Sequence, residues 1–181
     1  SAVKLQDSIL NTIRDNVIHS TEAGIYLSSD RYARFWYPQY PERGQNVHGR
    51  PGFGNKILSN KIYDVDGWGI NAIRSSPNIS GNSIRDVGGE GILVQEGSHN
   101  SGVFGNNITN AENGILVRDS SNLNIHNNDA NLNRNWGIYV FESVIDVFGL
   151  SFSENTANNN GDSGIVLWST RGFRVNNNTA C

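Results

Sequence analysis

Residues 55–74 read NKILSNKIYDVDGWGINAIR, and this stretch decides the fold. Its first half is Asn-x-Ile-x-x-Asn-x-Ile, from Asn55 to Ile62. Its second half holds Gly69-Ile70, with Ala72 two residues on. Ile57, Ile62, Ile70 and Ala72 form one apolar set at a period of two, the mark of strands with one face turned inward. The strands this implies are three to five residues long, and Asn, Gly and Asp stand between them. Asn and Gly tolerate the left-handed backbone angles that sharp corners demand.

The same unit recurs outward in both directions. Gly-Ile appears at Gly24, Gly69, Gly91, Gly114, Gly137 and Gly164, at intervals of 45, 22, 23, 23 and 27 residues. The first interval holds one coil plus an insertion. Asn-x-Ile or a near variant precedes each pair, with markers at Asn16, Asn60, Asn82, Asn106, Asn127, Asn155 and Asn176. The double motif runs from Asn11 to Ile18 and from Asn55 to Ile62, and Asn78 to Ile84 extends it. Short strands and corners closing about every 22 residues describe the coils of a parallel β-helix. Its hydrogen bonds run between coils about 4.8 Å apart, and a corner Asn stacks into an amide ladder. The Leu content is too low for a leucine-rich repeat. A six-residue period and a Thr-x-Thr array are both absent.

Composition agrees. The chain has 181 residues, 27 Asn, 20 Gly and 17 aromatics, and only 36% apolar residues. Aromatics and Ile argue for a packed core over disorder. No apolar run reaches the roughly 18 residues of a membrane span. A net charge of -3 gives no basic excess, which argues against a nucleic-acid partner. Cys181 is the single cysteine, so no internal disulfide forms. Without a Met, Ser1 reads as a processed or trimmed end.

The motif Asn-x-Ile-x-x-Asn-x-Ile followed by Gly-Ile-x-Val/Leu resembles the right-handed parallel β-helix repeat family. That family includes carbohydrate-binding and sugar-hydrolase repeats, alginate epimerases and lyases, phage tailspikes and a periplasmic copper-processing accessory protein. The resemblance covers residues 8–30 and 55–178, some 80% of the chain. It implies an all-β, single-stranded right-handed parallel β-helix of about seven coils, one domain over residues 1–181. It says little of chemistry, because this fold hosts many functions. The epimerase signature Tyr-Gly-Phe-Asp-Pro-His finds its nearest segment at Trp136–Phe141, which lacks the Asp, the Pro and the His.

Residues 31–54 interrupt the repeat with six aromatics, three of the four prolines, and Arg31, Arg34, Arg43 and Arg50 against Glu42 alone. This insertion reads either as a binding loop, with Arg34, Trp36 and Tyr37 as ligand contacts, or as packing on the barrel or a neighbouring subunit. A smaller insertion lies between Gly137 and Gly164.

Alternation assigns the outward residues of the Gly-Ile strands: Tyr26 and Ser28, Asn71 and Ile73, Leu93 and Gln95, Leu116 and Arg118, Tyr139 and Phe141, Val166 and Trp168. This strip is apolar toward its C-terminal end. Tyr139, Phe141 and Trp168 suit stacking on sugar rings, or burial against another subunit. The next corner carries Arg74, Glu96, Asp119 and Glu142 in successive coils. Three acids in one column repel unless compensated by Arg118 or a Ca²⁺ ion, which takes several oxygen ligands. The same three, with Arg118, are the catalytic candidates, since carboxyls about 5 Å apart suit a retaining glycoside hydrolase. A solvated ladder with salt bridges is the plain alternative. The four histidines have no metal-ligand spacing. Asn-x-Ser/Thr sequons occur at Asn78, Asn107 and Asn177.

Three functions follow as expectations. The first is an extracellular or envelope module, binding or acting on acidic polysaccharide, as a lyase or glycoside hydrolase if it is an enzyme. Arg34, Trp36, Tyr37, Arg74, Tyr139, Phe141 and Trp168 would hold the chain, Arg pairing with uronate or sulfate groups. The second is a fibre, spike or surface-layer subunit that self-associates or continues a longer β-helix through open ends or the apolar face. Metal-enzyme maturation is a third expectation, on family analogy alone.

Overall fold

A computed structural model describes residues 1–29, 53–143 and 151–181. Every strand is parallel to its neighbours, and the strands build three sheets on a solenoid of about six turns. The first sheet, A, is ordered β1 (Val3–Gln6), β4 (Ile25–Ser28), β7 (Ile70–Ile73), β10 (Ile92–Gln95), β13 (Ile115–Arg118), β16 (Ile138–Phe141) and β18 (Ile165–Trp168). Sheet B stacks β2 (Thr12–Arg14), β5 (Phe53–Leu58), β8 (Ser76–Ser80), β11 (Gly102–Phe104), β14 (Asn124–His126), β17 (Ser151–Ser153) and β19 (Arg174–Asn176). Sheet C stacks β3 (Val17–Thr21), β6 (Lys61–Val65), β9 (Ser83–Val87), β12 (Asn107–Thr109) and β15 (Asp129–Asn131). Among the described residues there is no α-helix.

Register is strict because a one-residue slip would turn every Ile outward. Ile25, Ile70, Ile92, Ile115 and Ile138 pair in sequence along sheet A, each essentially without solvent contact. Ile57, Ile62, Ile84, Ile108 and Ile125 are buried likewise, as the alternation predicts. Ile165, in the last coil, is only half-buried. Side-chain volume is exchanged between sheets. The sheet C column changes from Ile108 to Ala130 and then Ala157, while sheet B turns from Ile125 to Phe152, all fully buried. A tube of fixed cross-section keeps native density this way.

The Asn ladder is present, with its membership corrected. It runs Asn16, Asn60, Asn82, Asn106, Asn128, Asn155 and Asn178; each Nδ2 donates to the next Oδ1 at 2.9–3.0 Å. The rungs are therefore Asn128 rather than Asn127 and Asn178 rather than Asn176. Runs of consecutive Asn made the marker ambiguous by one or two positions. Each interior amide also donates to an inward carbonyl, as Asn106 Nδ2 does to Ile79 O at 3.0 Å. Asn11 and Asn55 form a further rung. Asn78 does not continue it, because Asn78 directly precedes Ile79, whereas Asn55 stands two residues before Ile57; with Ile57 opposite Ile79, Asn78 falls opposite Lys56.

The glycines of Gly-Ile serve a purpose other than the expected one. They lack positive φ; left-handed corners fall mostly on Asp, Asn, Ser and Glu, as at Asp64, Asp86 and Asn110. Glycine is needed there because coils approach closely. A Cβ on Gly114 would lie 2.5 Å from Gly137 O and 2.8 Å from the Ala130 Cβ. The insertion at 31–54 ends earlier than the sequence suggests, since β5 begins at Phe53.

Candidate functional site

The outer face of sheet A carries parallel columns of side chains, set by strand pairing. One outward column is Tyr26, Asn71, Leu93, Leu116, Tyr139 and Val166; the next is Ser28, Ile73, Gln95, Arg118, Phe141 and Trp168. The middle of this face is closed. Asn71, Leu93, Gln95 and Leu116 are all buried although they point outward. A polar chain crosses it: Gln95 Nε2 donates to Asn71 Oδ1 at 3.1 Å, and Arg118 Nε donates to Gln95 Oε1 at 2.8 Å. The expected exposed apolar strip is therefore confined to the C-terminal coils.

There the face opens. Tyr139 and Phe141 lie two residues apart on β16 with ring centres 5.1 Å apart, and Phe141 to Trp168 on β18 is 6.3 Å. Trp168 is 60% exposed, so its indole is offered to solvent. Trp136 meets Tyr139 edge-on at 4.4 Å and 70°, and its Nε1–H donates to Asp162 Oδ2 at 2.8 Å. Four aromatic rings thus form one patch. The structure brings together Tyr139, Phe141 and Trp168 and adds Trp136. Alternation missed Trp136 because it stands at the corner before Gly137; its position directly ahead of a Gly-Ile pair was the available signal.

The corner column is in register. Arg74, Glu96, Asp119 and Glu142 all take left-handed backbone angles, φ 49, 54, 47 and 50, at the ends of β7, β10, β13 and β16. Arg74 Nη2 binds Glu96 Oε2 at 3.0 Å, while Asp119 and Glu142 are exposed and form no ion pair among the described residues. Arg118 does not compensate the acids; its guanidinium is turned to Gln95. Among the described residues no three His, Cys, Asp or Glu side chains converge to hold a metal ion, so the acids stand as a ladder, spaced by the coils. Glu96, Asp119 and Glu142 are all exposed. Arg34, Trp36 and Tyr37 lie outside the described residues.

A separate cleft of about 410 Å³ opens at the corner after sheet C, with Asp64, Asp66, Asp86, Asn110 and Arg134 on its walls. Asn110 Nδ2 donates to Asp86 Oδ1 at 2.7 Å. This bond, aided by Arg85 and opposed by partial burial, holds the Asp86 carboxyl below its ordinary value. Arg134 Nη2 caps the carbonyls of Val87 and Gly88 at 2.9 and 2.7 Å, tying coils together.

The profile of the right-handed β-helix region matches residues 6–180. The chain belongs to that family. No curated protein matches the sequence. Membership in the β-helix family explains the solenoid and its short strands; the chemistry has to be argued from the outer face.

Proposed function

We propose that this β-helix protein is a polysaccharide-binding module whose site is the patch of Trp136, Tyr139, Phe141 and Trp168. The observation that carries the reading is the pairing of Phe141 with Trp168 at 6.3 Å, beside Tyr139, next to the closed middle of the face. Aromatic rings exposed on a rigid sheet stack on the C–H faces of sugars at little entropic cost, because the neighbouring strands already fix them. Asp119 and Glu142 at the rim accept hydrogen bonds from sugar hydroxyls. The reading is one of binding, since the acids are open to water and, among the described residues, no second group encloses them. A polysaccharide partner is met in the cell envelope or outside the cell, which is where this reading puts the protein.

Affinity electrophoresis in gels containing soluble polysaccharides tests it. The wild-type chain should be retarded by at least one glycan, and the double variant Phe141→Ala, Trp168→Ala should migrate freely. Retardation that the double variant retains would move the site elsewhere. Self-association through the same patch is the competing reading, favoured by the exposure of Trp168. Sedimentation that shows a dimer in the wild type and a monomer in the double variant, with no glycan retardation, would establish it instead.

A further inference from the structure

Trp136 has a counterpart three coils away on the same sheet. The residues directly before the glycines of β7, β10, β13 and β16 are Trp68, Glu90, Asn113 and Trp136, one in each coil. Backbone bonds fix that column: Gly69 N–H donates to Glu90 O at 3.0 Å, Gly91 N–H to Asn113 O at 2.9 Å, and Gly114 N–H to Trp136 O at 2.9 Å. The two indoles therefore share one edge of sheet A three coils apart, about 14 Å at ordinary strand spacing. Between them Asn113 Nδ2 faces Glu90 Oε1 at 3.5 Å. Trp68 is 38% exposed and walls a cleft of about 420 Å³ with Tyr26, Glu22 and Asp66.

We propose that the Tyr26–Trp68 cleft is a second glycan subsite. One neutral, hydroxyl-rich linear chain runs along this edge from Trp68 to Trp136. The inference rests on reading the Trp136–Trp168 patch as a glycan site. Two aromatic walls and two carboxylates are what a pyranose needs: apolar faces for its C–H surfaces and acceptors for its hydroxyls. The charge selects against uronates. Glu22 and Asp66 line the cleft and Glu90 lies on the path. Ser1 also lines the cleft, and Lys4 sits over the Tyr26 ring, 5.6 Å from its centre. Like charge on site and ligand costs affinity through desolvated repulsion. The repeat itself favours a linear polymer, because coil spacing is close to the rise of one sugar in an extended chain.

The test is an array of neutral and acidic polysaccharides, followed by calorimetry with the strongest neutral hit and its oligosaccharides. Neutral linear glycans should dominate the array. Trp68→Ala should weaken binding of a hexasaccharide or longer chain by about tenfold or more, since it removes one of two linked subsites. The same variant should leave the disaccharide affinity at the patch unchanged, and its thermal melt should match the wild type. Equal affinity of wild type and Trp68→Ala for long chains, with affinity lost in Trp168→Ala, would overturn the second subsite and leave the patch reading intact. An array that lights up only with uronate polymers would overturn the neutral-chain claim. A blank array would remove both readings.

Discussion

Two stretches of the same sheet face differ sharply. Asn71, Leu93, Gln95 and Leu116, in β7, β10 and β13, point outward and are buried. Tyr139, Phe141, Val166 and Trp168 occupy the same columns in β16 and β18, and there the face is open. Backbone geometry is the same in both, so the difference lies in the side chains and what covers them. In the middle, outward residues contribute to stability through the Asn71–Gln95–Arg118 chain. At the C-terminal end, Tyr139 and Phe141 are half-buried and Trp168 is left in water. That arrangement costs solvation free energy and has a use only when something docks.

The largest expected effect lies behind both stretches, where they share one core. Ile115→Asp should unfold the central coils, because an unpaired buried carboxylate costs several kcal/mol; loss of the β-sheet circular dichroism at room temperature checks it. A folded variant would mean that the core is not continuous. Next, Asn106→Leu removes a rung that donates to Asn128 Oδ1 and Ile79 O and accepts from Asn82. With each lost buried hydrogen bond worth about 1 kcal/mol, denaturant melts should show a loss of roughly 2–4 kcal/mol. The same change at exposed Asn16 should cost clearly less, and equal losses would show that burial does not govern the ladder.

The comparison itself is sharpened by a pair of variants. Gln95→Leu leaves the buried Asn71 Oδ1 and the part-buried Arg118 guanidinium without their partner, a loss of about 1–3 kcal/mol, with glycan binding kept. Trp168→Ala should change stability by less than about 0.5 kcal/mol and weaken glycan binding. If the two variants exchange these effects, the division into a structural middle and a binding end is wrong. The smallest effect concerns Asp86. Its pKa is depressed by Asn110 first and by Arg85, so its contribution is present above the ordinary Asp value and fades as pH falls through the lower folded value. Asp86→Asn should flatten that part of the acid side of the stability–pH curve, and an unchanged curve would show that Asn110 does not favour the ionised form.

Fold class was legible because a period of two inside a period of about 22 residues leaves few architectures. The Ile columns and the existence of an Asn ladder followed directly. The exact rungs did not, because Asn127-Asn128 and Asn176-Asn177-Asn178 offer neighbouring candidates of the same type. Alternation located Tyr139, Phe141 and Trp168 on the outer face. It had no way to show that Leu93 and Leu116 are covered, since cover comes from tertiary packing. Arg118 turns to Gln95 rather than to the acids for a related reason: charge invites an acid partner, yet Gln95 is the neighbour on the adjacent strand and accepts from both Nε and Nη2. Trp68 and Trp136 sit at corners, where the two-residue period gives no face.

The central claim is that the open end of sheet A, and not its middle, takes a polysaccharide. Nuclear magnetic resonance of the indole and side-chain amide protons during glycan titration tests it most directly. The account predicts that the Trp168 and Trp136 indole signals shift in a saturable way while the side-chain amides of Asn71 and Gln95 stay in place. Shifts centred on Asn71 and Gln95, with the Trp168 signal unmoved at saturation, would contradict it.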